Sequence, residues 1–208
     1  MSVAAGRAGP GQTAGSAADA RTGALARTTD IPGLVLIAPK VYRDARGFFR
    51  EIWHADRYVE AGIAEPFVQD NVSYSQRGVL RGLHFQEPGA QGKLVTAVLG
   101  DVYDVAVDVR VGSPTFGRWA GVHLTGENGL QLYLPPGVAH GFIVLSDVAL
   151  FAYKCTAYYA PAAEGVLRWD DPDLGIAWPA GITPTVSPRD AAGRRLRDFA
   201  PHELPRWT

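Results

Sequence analysis

The feature that most constrains the fold is the rapid alternation of short β-rich runs with turn residues along most of the chain. Clusters of glycine, proline, asparagine and aspartate separate the runs. The runs read GLVLIAPKVY, FFREIW, PFVQDNVSYS, GVLRGLHFQ, KLVTAVLGDVYDVAVDVR, WAGVHLT, QLYLP, AHGFIVL and ALFAYKCTAYY. Only HADRYVEAGI has a helical pattern, and Gly62 suits its C-terminal cap. The sequence therefore predicts an all-β fold, a double-sheet antiparallel jelly roll or related barrel, with one or two short helices.

The charge balance limits the partners that the chain can have. Its 208 residues carry a formal net charge of -1, which gives no electrostatic footprint for nucleic acid or an anionic membrane. With 47% hydrophobic residues the chain can build one core, yet no apolar run is long enough to span a bilayer. The single cysteine, Cys155, excludes an internal disulfide and fits a reducing cytoplasm. We expect a cytoplasmic protein with no nucleic-acid or membrane partner.

The beginning of the chain differs in composition from the rest. Residues 1–29 are rich in alanine, glycine, serine, threonine and arginine and lack the apolar segment of a secretory signal. Such a segment buries too little apolar surface to offset the entropy of ordering it. The sequence predicts a disordered extension over residues 1–29 and one domain over residues 30–208, with an irregular C-terminal tail.

Two ionisable residues interrupt the apolar run GVLRGLHFQ, residues 78–86. An arginine or histidine in a core strand is costly unless it meets a partner, so Arg81 and His84 need an explanation. Strict alternation would place the two side chains on opposite faces of the strand. If both line one site, the strand must bulge between them, and Gly82 is the residue that permits the bulge.

Alternation in two later runs separates polar from apolar faces. In VYDVAVDVR, three valines alternate with a face that carries Asp104 and Asp108, which is typical of a sheet with one face in water. In ALFAYKCTAYY, Tyr153 lies on an apolar face, where its hydroxyl needs a hydrogen-bond partner.

Several longer motifs occur in the order and spacing of a known enzyme family. They are DARGFFRE (44–51), FVQDNVSYS (67–75), GVLRGLHFQ, SPTFGRW (113–119), LPPGVAHGF (134–142) and WDDPDLGIAWP (169–179). Together they resemble the dTDP-4-dehydrorhamnose 3,5-epimerases, and the resemblance covers roughly residues 31–190. It implies a small cupin-like jelly-roll barrel and a homodimer.

A metal-dependent cupin enzyme is a rival interpretation, because LPPGVAHGF also resembles the second half of the general cupin signature. A metal site of that kind needs imidazoles and a carboxylate that converge on one ion. The first half of the signature normally supplies two histidines and a later glutamate, whereas here Gln86 stands in place of the second histidine. Glu87 follows too closely to act as the usual carboxylate. We therefore expect no metal.

The resemblance implies a dTDP-linked 4-keto-6-deoxy hexose as substrate and four residues that carry the chemistry. Both C3 and C5 of this sugar lie next to the C4 ketone, so either carbon can lose a proton as an enolate forms, with no redox cofactor or metal. His84 matches the base, and Asp190 the carboxylate that orients it. Lys93 matches the cation that stabilises the enolate oxygen, and Tyr153 the proton donor on the opposite face.

The same resemblance implies a set of substrate contacts. Guanidinium forks suit pyrophosphate oxygens, and the matched arginines are Arg46, Arg81 and Arg189. Tyr159 matches the aromatic residue that stacks on thymine. The remaining matched contacts are Glu51, Gln69, Asn71, His140 and Glu164, with Asp104 as a further pocket candidate.

The expected function is inversion at both C3 and C5 to give dTDP-4-dehydro-rhamnose in deoxysugar biosynthesis. An epimerase that acts at C3 or C5 alone, in a secondary-metabolite pathway, is the nearest alternative. A metal-dependent cupin and a non-catalytic sugar-binding barrel come from other classes. Binding alone would not require His84, Lys93 and Tyr153 together, because it needs no separate acid and base.

Overall fold

A computed structural model describes residues 12–13 and 26–208. Its strands are β1 (Gln12–Thr13), β2 (Ala26–Thr28), β3 (Val35–Ile37), β4 (Val41–Asp44), β5 (Gly47–Arg50), β6 (Gln69–Gln76), β7 (Leu80–Gln86), β8 (Lys93–Leu99), β9 (Asp101–Asp108), β10 (Trp119–Thr125), β11 (Gln131–Leu134), β12 (Val138–Val144), β13 (Val148–Cys155) and β14 (Glu164–Val166). The α-helices are α1 (Ala55–Glu60) and α2 (Pro188–Ala191), and short 3-10 turns cover Pro161–Ala163 and Leu196–Asp198.

Two six-stranded sheets form the body of the fold. One has the strand order β1-β10-β9-β12-β7-β14 and the other β2-β3-β11-β8-β13-β6, while β4 and β5 form a separate hairpin. Apart from β1 with β10, the paired strands run antiparallel. Apolar side chains of both sheets fill the space between them, and Phe142 of β12 stacks on Phe151 of β13 with ring centroids 4.2 Å apart. The predicted all-β double-sheet jelly roll is confirmed.

The expectation of a solvent-facing side on strand β9 is wrong. Val105 and Val107 pack against Leu167, Leu174 and Leu196, which come from the chain that follows β14. This C-terminal segment covers the outer face of the sheet. The polar face of β9 points between the sheets instead, and Asp104 and Asp108 on it are 0% exposed.

Strands β7 and β12 pair with the predicted irregularity. His84 lies opposite His140 and Arg81 opposite Phe142, with a register shift between the two pairs. Gly82 sits in this shift with a φ of +118°, a conformation that disfavours any side chain. The bulge brings Arg81 and His84 to the same cavity, so this prediction is confirmed.

The predicted helix is α1, and Gly62 follows it with a φ of +89°. The amide of Ile63 donates to the Tyr58 carbonyl, as in a Schellman cap. Within the described ranges, no helix is long and apolar enough to cross a membrane. The boundary expected at residue 30 stays a prediction, because most of the extension lies outside the described residues; Ala26–Thr28 pair with β3.

Candidate active site

A cavity of about 600 Å³ lies between the two sheets. Strands β6, β8 and β13 of one sheet, β7 and β12 of the other, the segment after β13 and helix α2 contribute to its wall. Most of the residues predicted from the sequence meet there, namely Gln69, Asn71, Arg81, His84, Lys93, His140, Tyr153, Tyr159, Glu164, Arg189 and Asp190.

His84 and Asp190 form a hydrogen-bonded pair at this cavity. The Nε2 atom of His84 lies 2.7 Å from Oδ1 of Asp190. We assign the tautomer in which Nε2–H donates to the carboxylate, so that Nδ1, 3.9 Å from Oε1 of Glu164, presents its lone pair. The side chain of His84 is 27% exposed, whereas that of Asp190 is 6% exposed. The arrangement suits a base that is oriented from behind and open to a ligand in front.

Helix α2 holds the carboxylate of Asp190 in place. Ser187 caps the helix and accepts a hydrogen bond from the Asp190 amide at 3.1 Å. Burial raises the pKa of Asp190, but the hydrogen bonds from His84, the Gly82 amide and Ser187 outweigh it, and the pKa falls below its usual value. Asp190 therefore stays ionised when His84 takes a proton.

A second imidazole–carboxylate pair lies opposite the first, on the neighbouring strands β12 and β9. His140 pairs in register with His84, and its Nε2 atom lies 2.8 Å from Oδ2 of Asp104. Burial raises the pKa of Asp104, opposed by His140 and Lys93. The other carboxylate oxygen of Asp104 has no hydrogen-bond partner among the described residues. The sequence indicated Asp104 only weakly, because the alternation of polar and apolar residues along β9 also fits a strand with one face in water.

Lys93 and Tyr153 supply a cation and a phenol to the cavity from adjacent strands, β8 and β13. Burial lowers the pKa of Lys93, although the nearby Cys155, Glu164 and Asp104 act in the opposite direction. Burial raises the pKa of Tyr153, so its hydroxyl keeps its proton. In the part of the chain that the structure describes, neither the ammonium nor the hydroxyl makes a hydrogen bond. Both are available to a bound molecule.

Tyr159, Glu164 and Arg189 form one polar cluster at the rim of the cavity. The Tyr159 hydroxyl donates to Oε2 of Glu164 at 3.0 Å and accepts from Nη1 of Arg189 at 3.1 Å. Arg189 also forms an ion pair with Glu164. Nearby, Arg81 donates from Nε to the Ser75 hydroxyl at 3.0 Å, which leaves the remaining guanidinium N–H groups free to bind an anion.

Arg46 and Glu51 do not join this cavity. Arg46 donates to Asp44 within the exposed β4–β5 hairpin, and Glu51 accepts from Arg57 at 3.0 Å. Arg50 of the same hairpin donates to the Gly126 carbonyl at 3.0 Å, in the turn between β10 and β11. Neither of these two predicted contacts lines the cavity of its own chain.

The imidazoles of the cavity are engaged by carboxylates rather than arranged around an ion. His84 and His140 each hydrogen-bond an aspartate. Among the described residues, no group of three or more histidine, cysteine, aspartate or glutamate side chains could hold a metal. The donor set therefore gives the metal-dependent interpretation no support.

Sequence reasoning missed several residues that shape the site. Ser187 caps α2, and Cys155 and Gln91 line the cavity. The Ser-Pro that precedes Arg189 and Asp190 is the signal that could have predicted the helix start, since proline is favoured in the first turn after a serine cap. Cys155 and Gln91 carry no comparable sequence signal.

Comparison with known proteins identifies the relatives of this chain. The family model described as dTDP-4-dehydrorhamnose 3,5-epimerase matches residues 28–198. The protein of that name from Neisseria gonorrhoeae is 53% identical over 167 residues, 80% of this chain and 51% of the relative, so the chain spans about half of that protein. The relative from Pseudomonas aeruginosa is 52% identical over 169 residues, 81% of this chain and 93% of its own.

Solved structures give the same result. dTDP-6-deoxy-D-glucose-3,5-epimerase from Legionella pneumophila, in complex with dTDP-4-keto-L-rhamnose, has a TM-score of 0.86 and 53% identity, covering 88% of this chain and 98% of that one. A 3'-monoepimerase from Streptomyces bikiniensis, in complex with dTDP-quinovose, has a TM-score of 0.77 and 40% identity, covering 81% and 86%. The extent of these matches, and above all of the family model, shows that the chain belongs to the dTDP-4-dehydrorhamnose 3,5-epimerase family.

Proposed function

We propose that this protein inverts C3 and C5 of a dTDP-linked 4-keto-6-deoxy hexose and so forms dTDP-4-dehydro-rhamnose. The observation that carries the proposal is the meeting of an oriented imidazole, His84, with the unpartnered Lys93 ammonium and Tyr153 hydroxyl in one cavity. The family membership and the sugar nucleotide bound to the Legionella relative support the choice of substrate.

The chemistry divides between the three groups. Nδ1 of His84 removes the proton next to the ketone, and Asp190 stabilises the imidazolium that results. The electrons of the broken C–H bond move onto the ketone oxygen, where Lys93 stabilises the negative charge. Tyr153 then delivers its phenolic proton to the opposite face of the carbon, which inverts it. Because burial keeps the phenol protonated, Tyr153 is suited to act as the acid.

The nucleotide end of the substrate is assigned to the rim of the cavity. Tyr159 is 45% exposed and offers its ring for stacking on the base. Arg81 and Arg189 face the same opening and suit the pyrophosphate oxygens. The free, buried Cys155 thiol fits the reducing cytoplasm, where we place the protein.

A homodimer accounts for an apolar surface that a monomer would leave in water. Val72 and Tyr74 on β6 are 66% and 60% exposed, at the edge of their sheet, and Phe49 in the β4–β5 hairpin is 68% exposed. Such a surface is typical of an interface. If the hairpin packs on a second copy, Arg46 and Glu51 reach the partner's cavity rather than their own. This arrangement reconciles their position with the substrate contacts that the resemblance implies.

Incubation with the dTDP-4-keto-6-deoxy sugar in deuterated water tests the proposal. We expect NMR to show deuterium at both C3 and C5, together with the doubly inverted product. Deuterium at one carbon alone would indicate a mono-epimerase, the alternative favoured by the similarity to the Streptomyces 3'-monoepimerase. Absence of exchange at both carbons would contradict the proposed function.

A further inference from the structure

The segment that carries Tyr159 lacks regular secondary structure. It runs from Thr156 to Ala160, between β13 and a 3-10 turn. Polar backbone groups that are not paired in a helix or sheet need other partners when water is excluded. Here the partners are the side-chain amides of three glutamines on neighbouring strands and loops.

Gln86 makes two of these four contacts. Its Oε1 accepts from the Ala160 amide at 2.8 Å, and its Nε2 donates to the Tyr158 carbonyl at 3.3 Å. Nε2 also donates to the Gly89 carbonyl at 2.6 Å. The side chain thus holds the backbone immediately before and immediately after Tyr159, and it ties both points to the loop that follows β7.

Two other glutamines complete the set. Oε1 of Gln69 accepts from the Tyr159 amide itself at 2.9 Å, and Nε2 of Gln91 donates to the Ala157 carbonyl at 2.8 Å. Gln69 and Gln91 line the cavity, but Gln86 lies behind the wall and is only 6% exposed. Because Gln86 does not line the cavity, we infer that it does not contact a bound ligand. Its three hydrogen bonds all serve the protein's own backbone.

We propose that Gln86 is a positioning residue for nucleotide binding, which fixes the backbone around Tyr159 so that the ring is preorganised to receive the base. The inference rests on the proposed function, because it takes the Tyr159 ring as the stacking surface. Tyr159 is 45% exposed, so its protein neighbours cover only part of it, and the hydrogen bonds of Gln86 to the adjacent backbone help to fix its position. At its far end, only the hydroxyl is held, by Glu164 and Arg189.

A glutamine suits this task better than the histidine of the metal-binding cupin signature. One planar amide offers an acceptor and two donors, and Gln86 uses all three functions. A neutral imidazole offers one donor and one acceptor, on opposite sides of a ring, and could not reproduce the set.

The test compares dTDP binding by the parent protein and by Gln86→Met, which keeps the length of the side chain and removes all three hydrogen bonds. We expect the Kd for dTDP and the KM for the sugar nucleotide to rise about tenfold, because preorganisation of the ring is lost. Since His84, Lys93 and Tyr153 are untouched, kcat at saturation should change less than about twofold. An unchanged Kd in folded Gln86→Met protein would overturn the proposal.

Gln131→Met is the matched control. Gln131 is 2% exposed and hydrogen-bonds the Ile52 carbonyl at 2.8 Å and the Tyr58 hydroxyl, away from the cavity. We expect it to lower Tm while the Kd for dTDP stays at the parent value. If Gln131→Met weakens dTDP binding as much as Gln86→Met does, the effect is general destabilisation and the positioning role is wrong.

Two further measurements distinguish a positioning role of Gln86 from a folding defect and from an effect on the reaction. In a Tyr159→Ala background, Gln86→Met should no longer change the Kd, because the residue acts through Tyr159; additive losses would contradict that. In the parent protein without ligand, the Ala160 amide, which donates to Gln86, should exchange slowly with deuterated water. Rapid exchange of this amide would contradict the proposal even if Gln86→Met fails to fold. Sugar C3 and C5 exchange tests the proposed function independently.

Discussion

The Nε2 atom of His84 lies 2.7 Å from the Asp190 carboxylate, although 106 residues separate the two in sequence. Strand β7 supplies the imidazole and the four-residue helix α2 supplies the carboxylate. Because the carboxylate fixes the tautomer, the ring nitrogen that faces the cavity is left with its lone pair. The pair explains how a histidine in a core strand is tolerated, and it provides the base that the proposed reaction requires.

Replacing Asp190 by asparagine should disable the His84 base without changing the geometry of the site. The amide can donate to Nε2 and so favour the opposite tautomer, in which the cavity-facing nitrogen carries the proton. We expect kcat to fall by about a hundredfold or more, with a much smaller change in the Kd for dTDP. Stopped assays of product and calorimetric dTDP binding check both. A variant with nearly parental kcat would show that Asp190 does not orient the base.

Replacing Gly82 by alanine should be far more damaging than the size of a methyl group suggests. A Cβ at Gly82 would lie 2.5 Å from the Gly141 Cα and 2.7 Å from the His140 carbonyl oxygen, and the φ is +118°. We expect a loss of about 3 kcal/mol or more in the free energy of unfolding, because backbone on both strands must move.

Gly62→Ala is the control for the Gly82 variant. It shares a positive φ, +89°, but its Cβ would meet nothing within 4 Å, so a cost of about 1 kcal/mol is expected. Chemical denaturation measures the free energy of unfolding of both variants, at a single protein concentration because the stability of the proposed homodimer would depend on concentration. Equal losses of unfolding free energy in the two variants would mean that the close approach of β7 to β12 does not exclude a side chain at Gly82.

The sequence predicted those features of the site that depend on residues close together in the chain. It failed for features that depend on residues far apart in the chain. The bulge at Gly82 could be inferred because Arg81 and His84 are three residues apart, a spacing that places side chains on opposite faces of a regular strand. The burial of Asp104 could not, since the cover over the outer face of β9 comes from residues after β14. The role of Gln86 was likewise hidden, because the two backbone groups that it binds beside Tyr159 lie more than 70 residues away. The resemblance supplied Asp190, which nothing in its own neighbourhood marks as catalytic.

Arg46→Ala should weaken the binding of the sugar nucleotide although Arg46 lies outside its own chain's cavity. In the proposed homodimer the guanidinium reaches the partner's site, so the KM should rise about tenfold with a smaller effect on kcat. Arg43→Ala is a suitable control, because Arg43 is on the same hairpin and bonds the Glu127 carbonyl.

Mixed dimers distinguish action across the interface from action within one chain. Arg46→Ala and His84→Ala chains are co-expressed and assayed at a low substrate concentration. If Arg46 serves the partner, each mixed dimer regains one intact site, and random pairing gives about a quarter of the parent activity. If both residues serve the same chain, no site is intact and activity stays at the level of the two single variants.

Tyr153→Phe should separate removal of the proton from inversion of the carbon. The substitution keeps the ring and leaves His84, Asp190 and Lys93 in place, so an enolate can still form and be reprotonated by His84 on the original face. We expect deuterium to enter C3 or C5 from deuterated water at a measurable rate, while the amount of inverted product falls at least about a hundredfold.

His84→Ala is the contrasting variant and should abolish exchange as well as inversion. Because the Tyr153 hydroxyl bonds no described residue, Tm should barely change. If Tyr153→Phe inverts the sugar at the parental rate, Tyr153 is a packing residue and the acid is another group of the cavity, with the buried His140–Asp104 pair the next to test.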